Sequence, residues 1–240
     1  MIEQMNRSLR FLRDKYGFAD GVIAAGADFF LLETAGKQIE LLPHRVERRF
    51  VELKKMIDGK TLEDVSTFRF AKYTPGGDLR KTLAEQLDLA EFLAGSAITR
   101  IFACGDGKKV CNCIIRFADG KSGSIECGTG LPAGAKVQDR HEIIARRGVG
   151  CDRGVDTQVA QHSIYMWTDA GEETYTDVDT ELFGLPDEGI WTVRAAYAVL
   201  KTPELAASFH AGALRSLALA DAALESARTG LPVAPEGRNA

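Results

Sequence analysis

The spacing of apolar residues changes at Gly95, and that change sets the fold class. Before it, Leu79, Leu83, Leu87 and Ala90 recur at helical spacing and so share one helix face. After it, apolar and polar residues alternate. Residues 99–104, 110–117 and 122–128 read as consecutive strands. They are joined by Gly105-Asp106-Gly107 and Asp119-Gly120, residue types that suit tight turns. Further strands are expected at 142–146, 163–168 and 174–177, with Asp169-Ala170-Gly171 closing a hairpin.

The flanking segments supply helices. Ile2, Met5, Leu9, Leu12 and Tyr16 make the chain open on an amphipathic helix. Residues 29–32 read as a strand, and Ala35-Gly36 turns it into a second strand through Ile39 and Leu41. Pro43 precedes a helix with Val46, Phe50, Leu53 and Ile57 on one face, ending near Gly59. A strand over 66–73 leads into Pro75-Gly76-Gly77, and helices over 186–201 and 203–230 close the chain. The tail over 234–240 is polar and expected to fray. Strands grouped apart from helices give an α+β domain on a large, mostly antiparallel sheet, covered on one face by helices. The open face is then a natural surface for a substrate pocket or a second subunit.

A formal charge of −4 argues against nucleic-acid and anionic-membrane partners. No apolar run approaches the roughly 20 residues that span a bilayer, and the charged, amphipathic start is unlike a secretory signal. A cytoplasmic protein is expected. The basic clusters at Arg45–Arg49 and Arg146–Arg147 read as solvated faces. Five cysteines without a second pair at zinc spacing read as small buried hydrophobes in a reducing compartment. Cys111 and Cys113 fall on one face of a strand.

Four motifs in order resemble the glucose–fructose oxidoreductase/inositol dehydrogenase (Gfo/Idh/MocA) family. They are Met56-Ile57-Asp58-Gly59, the Pro75-Gly76-Gly77 turn with the helix to Gly95, the stretch Phe117 to Gly123, and Glu225-Ser226-Ala227-Arg228-Thr229-Gly230-Leu231-Pro232-Val233. The family's helix has the form D-x-x-x-H-x-x-D-x-x-x-aromatic-x-x-G. Here Asp88, Phe92 and Gly95 stand in register, Glu85 occupies the position of the catalytic His, and Lys81 that of the first acid. The resemblance implies a C-terminal-domain-like α+β unit over 45–233. Residues 1–44 would be either a degenerate remnant of a dinucleotide-binding domain or an unrelated addition.

The family uses NAD or NADP, bound through G-x-G-x-x-G, whose glycines let the pyrophosphate approach a helix N-terminus, and an E-K-P motif beside the nicotinamide. Neither motif is found in this sequence. Gly148-Val149-Gly150-Cys151-Asp152-Arg153-Gly154 has the wrong spacing and reads as a loop. In Phe29 to Ala35, Thr34 and Ala35 would replace the Lys and Pro. No cofactor site is therefore expected in this chain.

Carried over by position, the catalytic candidates are Glu85, Asp88 and Lys81. Lys81 and Glu85 are one turn apart and able to pair, and all three also suit a solvated helix face. The polar stretch 152–163 offers Asp152, Arg153, Gln158, Gln161 and His162 to a polyol, or is a surface connection. Tyr165, Trp167 and Tyr175 suit a sheet face or interface. His44, His141 and His210 carry no assigned role. Two functions fit. One is a non-catalytic module that binds a sugar or cyclitol, or assembles with a catalytic paralogue. The other is an enzyme that takes its cofactor from a partner chain, or does non-redox acid–base chemistry with Glu85, Asp88 and His162. A homo-oligomer through the open sheet face is expected in either case.

Overall fold

The computed structural model describes residues 1–152, 164–168, 171–175 and 183–235, with 164–168 and 171–175 described by backbone alone. Its elements are α1 (Ile2–Tyr16), β1 (Val22–Ala25), β2 (Phe30–Thr34), β3 (Lys37–Glu40), α2 (Arg48–Asp58), β4 (Val65–Tyr73) and α3 (Leu79–Ala94). There follow β5 (Ile98–Gly105), β6 (Val110–Phe117), β7 (Ser122–Gly128), β8 (Gln138–Ala145), β9 (Gly148–Cys151), β10 (Ile164–Thr168), β11 (Gly171–Tyr175), α4 (Asp187–Lys201) and α5 (Leu205–Thr229). They divide into two compact units, one of residues 1–46 with 154–210, the other of 47–153 with 211–240.

In the first unit β1, β2 and β3 form an antiparallel meander. The turn at Ala35-Gly36 stands as read, but β1 was not anticipated. It is only four residues long and alternates poorly in burial, so its sequence carries little signal. Its place is set by tertiary contact instead: Asn6 of α1 accepts from the Ile23 N–H at 2.7 Å and donates to its carbonyl at 2.8 Å. Met5, Leu9, Ile23, Leu32, Ile190, Val193 and Val199 are buried in this unit. β10 and β11 pair antiparallel in register from Ile164↔Tyr175 to Thr168↔Gly171. The side chains of Tyr165, Trp167 and Tyr175 lie outside the described residues.

The second unit is built on a six-stranded sheet in the order β5-β6-β7-β4-β8-β9. Only β4 and β7 are parallel; the other neighbours are antiparallel. Burial alternates strictly along β6, with Cys111, Cys113, Ile115 and Phe117 inside and Val110, Asn112, Ile114 and Arg116 outside. The inner face packs under Phe50 and Leu53 of α2, Leu83, Leu87 and Ala90 of α3, and Leu219, Ala220 and Ala223 of α5. This is the α+β architecture that the change of period implies. On the outer face Phe102 and Ile114 are direct cross-strand partners and both exposed.

Two expectations fail here. The glycine-rich run at 148–151 is the edge strand β9, not a loop, and pairs with β8. Gly150 answers packing, since a Cβ there would lie 2.8 Å from the Leu62 side chain, whereas Gly148 opens the strand at φ 141°, a value that suits glycine. The cysteines are not uniformly buried either, since Cys104 and Cys151 are exposed. Those two fall on outward-facing or edge positions, which the sulfur content alone does not reveal.

The C-terminal motif is a staple. Ser226, buried, accepts from the Ala103 N–H at 2.9 Å and donates to the Leu231 carbonyl at 2.7 Å. Gly230 turns at φ 69°, a left-handed value suited to glycine. Val233 then exchanges two backbone hydrogen bonds with Ile101 at 2.8 Å each, which covers part of the outer edge of β5.

Candidate functional site

The inner face of the sheet turns from apolar to polar at one end of β4. Phe68 and Phe70 are followed, two residues on, by Lys72, whose partners are Asp139 on β8 and Cys127 on β7. His141 stands opposite Phe70, so the pleat points Lys72, Asp139 and His141 the same way. Above them lies α3, whose start is held by Asp78 accepting from the Arg80 N–H at 2.8 Å. Its end is held by Gly95 at φ 63°. The helix thereby lowers Glu85 and Gln86 toward the strand positions.

Glu85 meets Lys72 there: Nζ donates to both carboxylate oxygens, at 2.6 and 2.7 Å. The pair is partly open, with 34% of the Glu85 side chain and 19% of the Lys72 side chain exposed. Cys127, buried beside them, has its thiol pushed up by burial.

Beneath this pair a second, drier network runs through His141, which is fully buried. Nδ1 of His141 lies 2.5 Å from Asp152 Oδ2, and Nε2 lies 2.9 Å from Gln86 Oε1. Phe50 and Phe70 meet the ring edge-on, with centroids at 4.8 and 4.9 Å. Asp152 also accepts from the His141 N–H at 3.0 Å and from Arg49 at 2.9 Å. Burial works against its charge, but His141 and Arg49 outweigh that and hold its carboxyl below the usual range. Arg49 extends the network to Asp139 at 2.6 Å and to Glu47. Burial opposes its charge too, and these three carboxylates overcome it and raise its value. Glu47 behaves oppositely: burial pushes its carboxyl up, aided by Asp139 and Glu85, against the pull of Arg49.

Of the sequence candidates, Glu85 and Asp152 therefore belong to one cluster. Asp88 is buried at 1% exposure, which corrects the reading of these charges as a solvated face. A helix face that packs on a sheet is dry at that position whatever its residue type. Lys81 is exposed, and Glu85 is held by Lys72 of β4. Arg153, Gln158, Gln161 and His162 lie outside the described residues.

The residues that were missed are Glu47, Arg49, Lys72, Gln86, Asp139 and His141. Arg49 is an ion-pairing centre, not the solvated base assumed for its cluster. The signal available was a charge at an inward strand position, since Lys72 continues the period-two series of Phe68 and Phe70. His141 likewise precedes Ile143 by two.

A chain of charged and polar groups gathered on the covered face of a sheet is costly for a structural core. It suits a site that holds a polar ligand or moves a proton. Among the described residues no cluster has the make-up to hold a metal ion, and no helix is long and apolar enough to cross a membrane.

No family model and no curated protein matches the chain. Solved structures do. A protein assigned as a dehydrogenase from Thermotoga maritima matches with a TM-score of 0.61 at 18% identity, over 80% of this chain and 63% of its own. A protein assigned as a myo-inositol dehydrogenase from Sinorhizobium meliloti 1021 matches at 0.61 and 18%, over 82% and 65%. The scyllo-inositol dehydrogenase of Lactobacillus casei, with bound NAD(H) and scyllo-inositol, matches at 0.58 and 15%, over 80% and 63%. The chain thus spans less than two thirds of the length of these structures. Its fold is that of the C-terminal domain of Gfo/Idh/MocA-type inositol dehydrogenases.

Proposed function

We propose that this chain is a substrate-domain protein that binds a sugar- or cyclitol-like polyol and does not itself carry out hydride transfer from NAD(P). The observation that supports this most is the Glu85–Lys72 pair. At the position where the family resemblance places a catalytic His, this chain has a carboxylate with both oxygens engaged by an ammonium group. Hydride transfer from a carbinol needs a bound nicotinamide to accept the hydride as well as a base for the hydroxyl proton, and neither the glycine-rich nor the E-K-P motif that would hold the nicotinamide is found in this sequence. Lys72, Glu85, Arg49 and Asp139 instead offer fixed donors and acceptors of the kind that orient hydroxyl groups. The likeness in fold to structures assigned as inositol dehydrogenases supports the polyol as ligand class.

The open face of the sheet is proposed as the seat of a homo-oligomer, since Phe102 and Ile114 leave a paired apolar patch at its β5–β6 side. A catalytic paralogue on the same face is the heteromeric form of this proposal.

Thermal shift separates the alternatives, because a ligand of the folded state stabilises it by mass action. Myo-inositol, scyllo-inositol and hexoses at millimolar concentration are expected to raise Tm, and NAD, NADH, NADP and NADPH to leave it unchanged. A nicotinamide shift of the isolated chain, or no shift with any polyol, would refute the proposal.

A further inference from the structure

We propose that the Glu85–Lys72 pair is a proton-transfer site that enolises α-hydroxy carbonyl compounds, with Glu85 as the base and Lys72 as the electrophile. The inference rests on the reading of this cluster as the ligand site, and adds a reaction class to it.

Proton abstraction next to a carbonyl needs a carboxylate near the C–H bond and a positive donor near the carbonyl oxygen, where charge develops. The structure holds that couple in contact, 2.6 and 2.7 Å between Lys72 Nζ and the two Glu85 oxygens. Both members are reachable from solvent. The couple is mounted on fixed supports. Lys72 projects from an inner strand with neighbours on both sides. Glu85 precedes Gln86, which is tied to the sheet through the buried ring of His141. Such rigidity keeps the two charges in place without reorganisation during the reaction. Glu47 lies within electrostatic reach of Glu85, and burial favours its protonated form.

The step balances without oxidant, reductant or cofactor. The carbonyl oxygen of a hydroxy ketone accepts a hydrogen bond from Lys72. Glu85 takes the proton from the adjacent carbinol carbon. The electron pair of the broken C–H bond becomes the C=C bond of the enediolate, and the carbonyl π pair moves onto the oxygen facing Lys72. Glu85, now a carboxylic acid, exchanges its proton with solvent and returns one to carbon, which restores the hydroxy ketone.

The test is solvent exchange. The full chain is incubated with dihydroxyacetone and, separately, D-fructose in D2O, and loss of the α C–H signals is followed by proton NMR against buffer alone. Exchange above the buffer rate is expected. It should fall at least tenfold in Glu85→Gln and in Lys72→Met, with circular dichroism confirming that both variants are folded. Wild-type protein exchanging at the buffer rate, or Glu85→Gln keeping the wild-type rate, overturns the proposal. Ligand-observed saturation transfer on the same samples tells two failures apart. Polyol binding without exchange removes the reaction and leaves the ligand site standing, whereas neither binding nor exchange removes both.

Discussion

Asp152 is the most informative residue to perturb, because three contacts converge on a side chain that is only 2% exposed. It serves His141 at Nδ1 and at the backbone N–H, and it serves Arg49. Hydrogen bonds to a charged group contribute about 1.5–3 kcal/mol each, not additively. Removing one partner of a buried ion pair typically costs about 3–5 kcal/mol, because the other is left uncompensated. The Arg49 side chain is 34% exposed, so water screens part of its loss and the lower end applies. Asp152→Ala should therefore cost about 3 kcal/mol, or roughly 6–12 °C in Tm for a chain of this size. Urea unfolding followed by far-ultraviolet circular dichroism measures this, with an unchanged m value showing that the unfolded state is the same. The sign of the pH dependence is also set. The folded carboxyl is held below its ordinary value, so its contribution is present above the unfolded value of about 3.9 and is lost as pH falls through the folded one. The contribution of the Asp152 carboxylate itself should be lost only below about pH 4. A cost under about 1 kcal/mol at pH 7 would show that the His141–Arg49 network does not depend on this carboxylate.

Three further outcomes follow from the same structure. Ser226→Ala orphans the buried Ala103 N–H and should cost about 1–3 kcal/mol in the same urea experiment, whereas the exposed Thr99→Ala should cost far less. Asp106 accepts from the backbone N–H groups of Lys108, Lys109 and Val110, which hold its carboxyl down at about 2; hydrogen exchange of those amides should stay slow at pH 3 in wild type and speed up in Asp106→Ala. Ile114→Glu places a charge beside Phe102 on the outer sheet face and should turn the proposed oligomer into monomers by light scattering at micromolar concentration, with the circular dichroism spectrum unchanged.

The fold was legible where one face of an element is dry and the other wet. β6 shows this best, because every second residue from Cys111 to Phe117 is buried, so sequence alternation and structural alternation coincide. Legibility failed where tertiary contact rather than pattern decides, as in β1 with its Asn6 clamp and β9 with its glycine under Leu62. The turn and cap residues were readable for a local reason. Gly95 adopts a left-handed φ and Asp78 caps α3, and such requirements are met within a few residues of chain.

The site was legible only in part, because its members come from five separate stretches of sequence. Glu85 was found through its position in a helix motif, and Asp152 through the polarity of its segment. Arg49, Lys72, Asp139 and His141 had no motif to announce them, and what unites them is strand register: Lys72 opposes Asp139 as Phe70 opposes His141. Period-two reading of β4 places Phe68, Phe70 and Lys72 on one face, and an inward lysine at the end of an aromatic series requires a counter-ion. That requirement points to an acid on a neighbouring element, and Glu85, one helix above, meets it. The carboxylate of Glu85 is thus the partner that the strand lysine requires, supplied from a helix rather than from a neighbouring strand.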